Sequence, residues 1–317
     1  MVQAHLLTRL MALGMAVLTP SGACGQDFPS KPIRVMTGAI DAQTRILGEG
    51  LSKLLGQQVI FESRPTGSLS AEVMVQRAAP DGYTLLLAGS SFWIGPLLKD
   101  MPYGATSEFA PITLTARAPN ILVVHPALPV KSVKELIALA KSRPGELNYS
   151  AGGVGASPHM AAELFNSMAG LKIVRIPFSN GELRVSALIR GDVQLEFSPA
   201  TLAKAYMQSG RLKGLAVTTA QPSALAPDLP TVGAAGLPGY QWDTSGGLFA
   251  PAKTPQAIVT RLNQDTVRLL HTVDAKEKFM VAGTEAVGTS PEEFAAIIKT
   301  QVATATKVIK AAGIRLE

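Results

Sequence analysis

This chain has one cysteine, few histidines, few aromatics and no long apolar run, and each scarcity removes a class of function. Cys24 is the only cysteine among 317 residues, and it lies near the N-terminus. Past it, the chain can form no internal disulfide, hold no Cys-ligated metal and offer no cysteine nucleophile. The histidines beyond residue 25 are His125, His159 and His271, and no two of them have metal-ligand spacing. No His-Glu-x-x-His pattern or Walker loop occurs, and Gly152–Ser157 resembles a nucleophile elbow only loosely. The adjacent acids Glu292 and Glu293 sit where a helix first turn favours negative charge. The expectation is therefore a non-enzyme with no metal and no cofactor. No run reaches the roughly 18 apolar residues that a membrane helix needs. Aromatics make up 5% of the chain and the basic residues are scattered, so nucleic acid is not an expected partner.

The N-terminus has the order of a secretory signal. Arg9 precedes an apolar core, Leu10–Leu18, which is broken by Thr19–Gly22 before the small residues Ala23, Cys24 and Gly25. Cleavage after Gly25 is expected, which makes residues 1–25 a signal peptide and the mature protein periplasmic. A lipoprotein reading would acylate Cys24, but Ser21 stands where an apolar residue is expected. Only Arg9 of the 29 Lys and Arg falls in this segment, against 23 Asp and Glu overall, so the mature chain remains basic. A mild positive field of this kind helps to collect small anions.

Apolar runs of strand length alternate with amphipathic ones. Ile33–Met36, Gln58–Phe61, Tyr83–Ala88, Ile121–His125, Ile173–Ile176, Val193–Phe197 and Leu212–Thr218 are predicted strands. Ala42–Leu55, Ala71–Ala79, Val133–Lys141, Leu183–Arg190, Thr201–Gln208, Ala257–Leu270 and Pro291–Ala312 are predicted helices. Ser132 and Glu135 have the spacing of a capping box. Such alternation predicts mostly parallel sheet covered by helices. Two α/β blocks followed by helices that return to the first imply two lobes, with crossovers near His125 and Asp243. A cleft between lobes is a usual ligand site.

The most informative stretch is Asn148–Phe165, NYSAGGVGASPHMAAELF. A strand end loosens through Gly152, Gly153 and Gly155, then enters a helix at Ser157-Pro158. Ser157 is predicted to cap that helix. A glycine-rich loop running into a helix N-terminus offers free N–H groups and the positive end of the dipole to an anion. A hydrolase using Ser157 and His159 is the least favoured reading, because no third residue orients the histidine.

With these residues in view, the chain resembles the tripartite tricarboxylate transporter solute receptors, the Bug-type periplasmic binding proteins. The resemblance runs through Phe28–Arg34, Ala79–Leu87, Phe109–Leu114, Pro119–Pro126, Asn148–Phe165, Leu229–Tyr240 and Ser290–Phe294. It implies an α/β type II periplasmic-binding-protein fold, with lobe one at 26–124 and 246–317 and lobe two at 125–245. It further implies a monomeric receptor that closes on a small anionic metabolite, usually a carboxylate, and delivers it to membrane transporter subunits or a sensor kinase. The ligand-binding residues carried over are Thr37, Gly38, Asp41, Ser68, Ser90 and Ser91 from lobe one. Lobe two supplies Gly153, Gly155, Ser157, His159, Ser179, Asn180 and Ser198.

The chain also departs from that pattern. The loops Thr37–Ile40 and Ser63–Ser68 are shorter than the family's, and Ser198 and Ser245 replace a usual Asp and Trp. Affinity is therefore expected to rest more on lobe two. The alternative within the same fold is a receptor-like regulatory or interaction protein with a degenerate cleft.

Overall fold

The computed structural model describes residues 28–64, 70–103 and 107–314. The expected signal segment and Ser68 lie outside the described residues. In chain order the elements begin β1 (Ile33–Thr37), α1 (Ala42–Leu55), β2 (Val59–Ser63), α2 (Ala71–Gln76), β3 (Thr84–Gly89), α3 (Ser91–Ile94) and β4 (Phe109–Val124). There follow α4 (Val133–Ser142), β5 (Asn148–Ala151), α5 (Ser157–Ala169), β6 (Val174–Pro177), α6 (Gly181–Arg190), β7 (Leu195–Pro199), α7 (Ala200–Gln208) and β8 (Lys213–Val217). The chain closes with α8 (Val232–Ala235), β9 (Asp243–Pro251), α9 (Gln256–Leu270), α10 (Val273–Val281), β10 (Glu285–Ala286) and α11 (Pro291–Ala312).

The strands run in the order β2-β1-β3-β9-β4-β7-β5-β6, with β8 and β10 also paired to β4. Strand β4 belongs to two half-sheets. Phe109–Pro119 pairs antiparallel with β9, whereas Asn120–Val124 pairs with β7. Pro119, with no N–H to donate, sits at the change of partner. Strands β1, β2 and β3 are mutually parallel in the first half, as are β5, β6 and β7 in the second.

This register decides where a ligand can sit. Gly89 at the carboxyl end of β3 opposes Gly246, and Arg117 opposes Ser245 one position away on β9. Pro199 at the carboxyl end of β7 opposes Asn120. The carboxyl edges of both half-sheets therefore meet at the Pro119–Asn120 crossing. In open α/β sheets, ligands bind outside the carboxyl ends of the strands.

Alternation along β4 feeds three apolar cores. Ile112 and Ala116 join the one beneath α1, α9 and α10. Ile121 and Val123 join a second with Val185, Leu188 and Ala203 of α6 and α7. Leu114, Leu122 and Val124 enter a third that continues across both half-sheets under α2, α3, α4, α5 and α11. Within it Phe92 stacks edge-on against Phe109 and Phe249, with ring centroids 4.9 and 5.2 Å apart. Fully burying each such ring stabilises the fold by about 1.5–3 kcal/mol.

Helix α1 shows why sequence sets element bounds here. Leu47, Leu51 and Leu55 are buried at helical spacing, Asp41 and Thr44 form a reciprocal capping box, and Gly56 at φ 66° ends the helix. At α4 the expectation needs correcting. Ser132 accepts from the Glu135 N–H, but the Glu135 carboxylate takes the N–H of Lys131 at 2.6 Å instead of closing the box.

Candidate functional site

At the crossing, a cavity of about 210 Å³ is lined by Thr37, Asp41, Thr44, Arg117, Ser245 and Thr284, among others. Thr37 ends β1, is 6% exposed and donates to the Ala39 carbonyl at 3.3 Å. The Gly38 carbonyl accepts from Ser63 Oγ, which fixes the turn after β1. Asp41 is committed to its cap, accepting from the Thr44 N–H at 2.9 Å. Its carboxylate is thus held in place at a cavity expected to take an anion. Ser90 is buried between β3 and α3, with its N–H on the Ser245 carbonyl, and Ser91 opens α3 at the surface.

In the second half, the loop from Gly152 to Ala156 is shaped by its own hydrogen bonds. The Gly155 N–H donates to His159 Nδ1 at 3.1 Å, and the Ala156 N–H to the Gly153 carbonyl at 3.1 Å. Arg175 Nη2 donates to the Gly152 carbonyl at 2.5 Å. Gly155 lies at φ 77° against Leu98, which follows the short 3₁₀ turn Gly95–Leu97, and a Cβ there would collide with the leucine. This loop thus packs against the segment that follows α3.

Ser157 is not the cap. Ala156 occupies the N-cap position of α5, no side chain caps the helix, and Ser157 is its first residue. Its hydroxyl oxygen instead accepts from Asn120 Nδ2 at 2.9 Å and from Trp242 Nε1 at 3.1 Å. An indole nitrogen can only donate, so the Ser157 proton is left free to point elsewhere. Packing of the two crossing segments against α5 has overridden the local capping preference.

His159 is 4% exposed, and burial, reinforced by nearby Arg175, lowers its pKa to about 4. It is neutral at physiological pH, supports the loop through Gly155, and makes no hydrogen bond to Ser157. The hydrolase reading therefore has no nucleophile–base pair to rest on. Ser179 and Asn180 are exposed at the carboxyl end of β6, where Asn180 caps α6 by accepting from the Leu183 N–H at 2.9 Å. Ser198 is fully buried on β7.

Sequence reasoning missed the charged groups between these loops. Glu196, fully buried on β7, accepts from Ser150 Oγ and from Arg184 Nε, each at 3.0 Å. Burial raises its pKa, against the opposing pull of Arg184. On the other side, Arg117 Nε lies 3.3 Å from Asp243, whose second oxygen accepts from Ser245 Oγ and Gln301 Nε2. Gln301 in turn accepts from Trp93 Nε1 at 2.9 Å. Alternation in Val193–Ser198 was the available signal, since it puts Gln194, Glu196 and Ser198 on one strand face. The long-range partners left no local trace.

A larger hollow of about 560 Å³ lies between α5 and α11, lined by Leu164, Met168, Trp242, Ile297 and Lys307 among others. None of the candidate residues lines it.

Two α/β halves whose carboxyl edges meet at the crossing of β4, with a small cavity on the side of the first half, have the form of a periplasmic solute-binding protein of the type II fold. The family model for the tripartite tricarboxylate transporter family receptor matches residues 43–314, and the chain belongs to that family. A UPF0065 protein of Bordetella bronchiseptica is 31% identical over 99% of this chain and 96% of its own length. Among solved structures, R. palustris Rpa4515 with adipate is similar at 30% identity and TM-score 0.72, covering 91% of this chain and 99% of that one. MatC from Rhodopseudomonas palustris with bound malate is similar at 26% identity and TM-score 0.68, covering 89% and 100%. The family is one of solute receptors and not of enzymes. No described helix is long and apolar enough to cross a membrane.

Proposed function

We propose that this chain is a periplasmic receptor that binds a small carboxylate at the crossing and passes it to a tripartite tricarboxylate-type transporter. In this reading residues 1–25 are removed on export and the mature chain works as a monomer. Residues 26–124 and 246–317 form lobe one, and 125–245 form lobe two. The change of strand partner at Pro119–Asn120 supports a first crossover in the neighbourhood of His125. The observation that carries the proposal is the apposed pair of carboxyl edges. From one side they offer the backbone of the turn after β1. From the other they offer the Gly153–Val154 amides and the free Ser157 proton. Oriented donors of this kind read charge and shape, which suits a small carboxylate. The ligands bound to Rpa4515 and MatC support the same class.

Native mass spectrometry of gently purified mature protein, followed by calorimetry with acetate, malate, adipate and citrate, tests this. One-to-one binding of at least one of these acids is expected. Binding of none would favour the reading of a receptor-like protein with a degenerate cleft.

A further inference from the structure

The side chain of Arg184 is 11% exposed, and its Nε edge is taken by the fully buried Glu196 at 3.0 Å. Among the described residues neither Nη has a hydrogen-bond partner. A Cβ built on Gly152 would lie 3.1 Å from Nη1, and one built on Gly181 would lie 3.5 Å from Nη2. Gly152 follows β5 and Gly181 follows β6. The bare edge of the guanidinium thus sits between two loops at the carboxyl edge of this half-sheet, with glycine on each side leaving room. On the first half-sheet, Arg117 is a second guanidinium beside a buried carboxylate, though its Nε pairs with Asp243 by charge alone and makes no hydrogen bond. Its side chain, 28% exposed, lines the cavity beside Thr37.

A guanidinium pinned on one edge by a carboxylate keeps its other donors in fixed directions. That geometry suits a planar carboxylate and cannot be reproduced by lysine. The bare edge of Arg184 on the second half, with the cationic Arg117 on the first, suits a ligand with an anion at each end. On these grounds, and resting on the receptor reading above, we infer that Arg184 is a specificity-determining residue. It receives one end of a dicarboxylate, and Glu196 both aims it and tempers its charge.

Calorimetry with adipate and with hexanoate, its monocarboxylate counterpart, tests this on the mature chain. The wild type should prefer adipate by about tenfold or more, and Arg184→Ala should erase that preference. Arg184→Ala leaves Glu196 buried without its cation. A double variant, Arg184→Ala with Glu196→Leu, therefore removes the charge requirement and should show the same loss of preference while folding. Glu196→Gln keeps an acceptor for Nε but removes the opposing charge, so adipate should bind about threefold more tightly. A purely supporting role for the pair predicts weaker binding or no change in that variant. A wild type that does not distinguish adipate from hexanoate, or an Arg184→Ala or double variant that keeps the preference, overturns the assignment while leaving the receptor reading intact. Failure to bind any carboxylate overturns both.

Discussion

Replacing Ser157 by alanine separates the observed role of this residue from the cap that its position in the sequence suggests. A lost N-cap costs about 1 kcal/mol. In the structure the hydroxyl oxygen accepts from Asn120 and Trp242, which are 1% and 5% exposed. Alanine would strand both donors away from water, at about 1–3 kcal/mol each, giving a loss of about 2–6 kcal/mol. Urea unfolding of the wild type, Ser157→Ala, Trp242→Phe and the double variant would form a cycle, with an expected coupling of about 1–2 kcal/mol. A single-variant cost below about 1 kcal/mol, or strict additivity with Trp242→Phe, would refute the shared hydrogen bond.

Other outcomes follow from the same geometry. His159 has a folded pKa of about 4 against an ordinary 6.5, so the folded chain binds fewer protons between those values. Stability should be complete above about pH 6.5 and fall by on the order of 3 kcal/mol toward pH 4. His159→Gln should flatten that slope in acid-unfolding curves. Gly155→Ala should destabilise by about 2 kcal/mol through the positive φ and the collision with Leu98, and Leu98→Ala should restore only the part due to the collision. Gln301→Leu should cost about 1–3 kcal/mol, because Asp243 and Trp93 both lose a partner, as denaturant midpoints would reveal. Ligand should reduce the radius of gyration in solution scattering if the halves close about the crossing, and an identical profile at saturation would rule out closure.

Local chemistry made much of the fold legible. Helix α1 falls on Ala42–Leu55 as its leucine spacing and the Asp41 cap require. Apolar patterning predicts only Ile121–His125 of β4, whereas the strand runs from Phe109 to Val124. In the structure Pro111 lies at a register shift and Pro119 at the change of half-sheet, two places where a strand tolerates a missing N–H. The fold class was also legible, since alternating strands and helices leave few architectures. The polar wiring at the crossing was not. Ser157 meets Asn120 and Trp242, and Arg184 meets Glu196, only after distant segments have packed. A short motif around each residue carries no record of that.

The most direct test of the account is a crystal structure of the mature chain with adipate or malate bound. The account predicts the ligand at the Pro119–Asn120 crossing, in contact with the Gly153–Ser157 loop on one side and with the turn after Thr37 on the other. A ligand lodged instead in the hollow between α5 and α11, with both of those loops untouched, would contradict it.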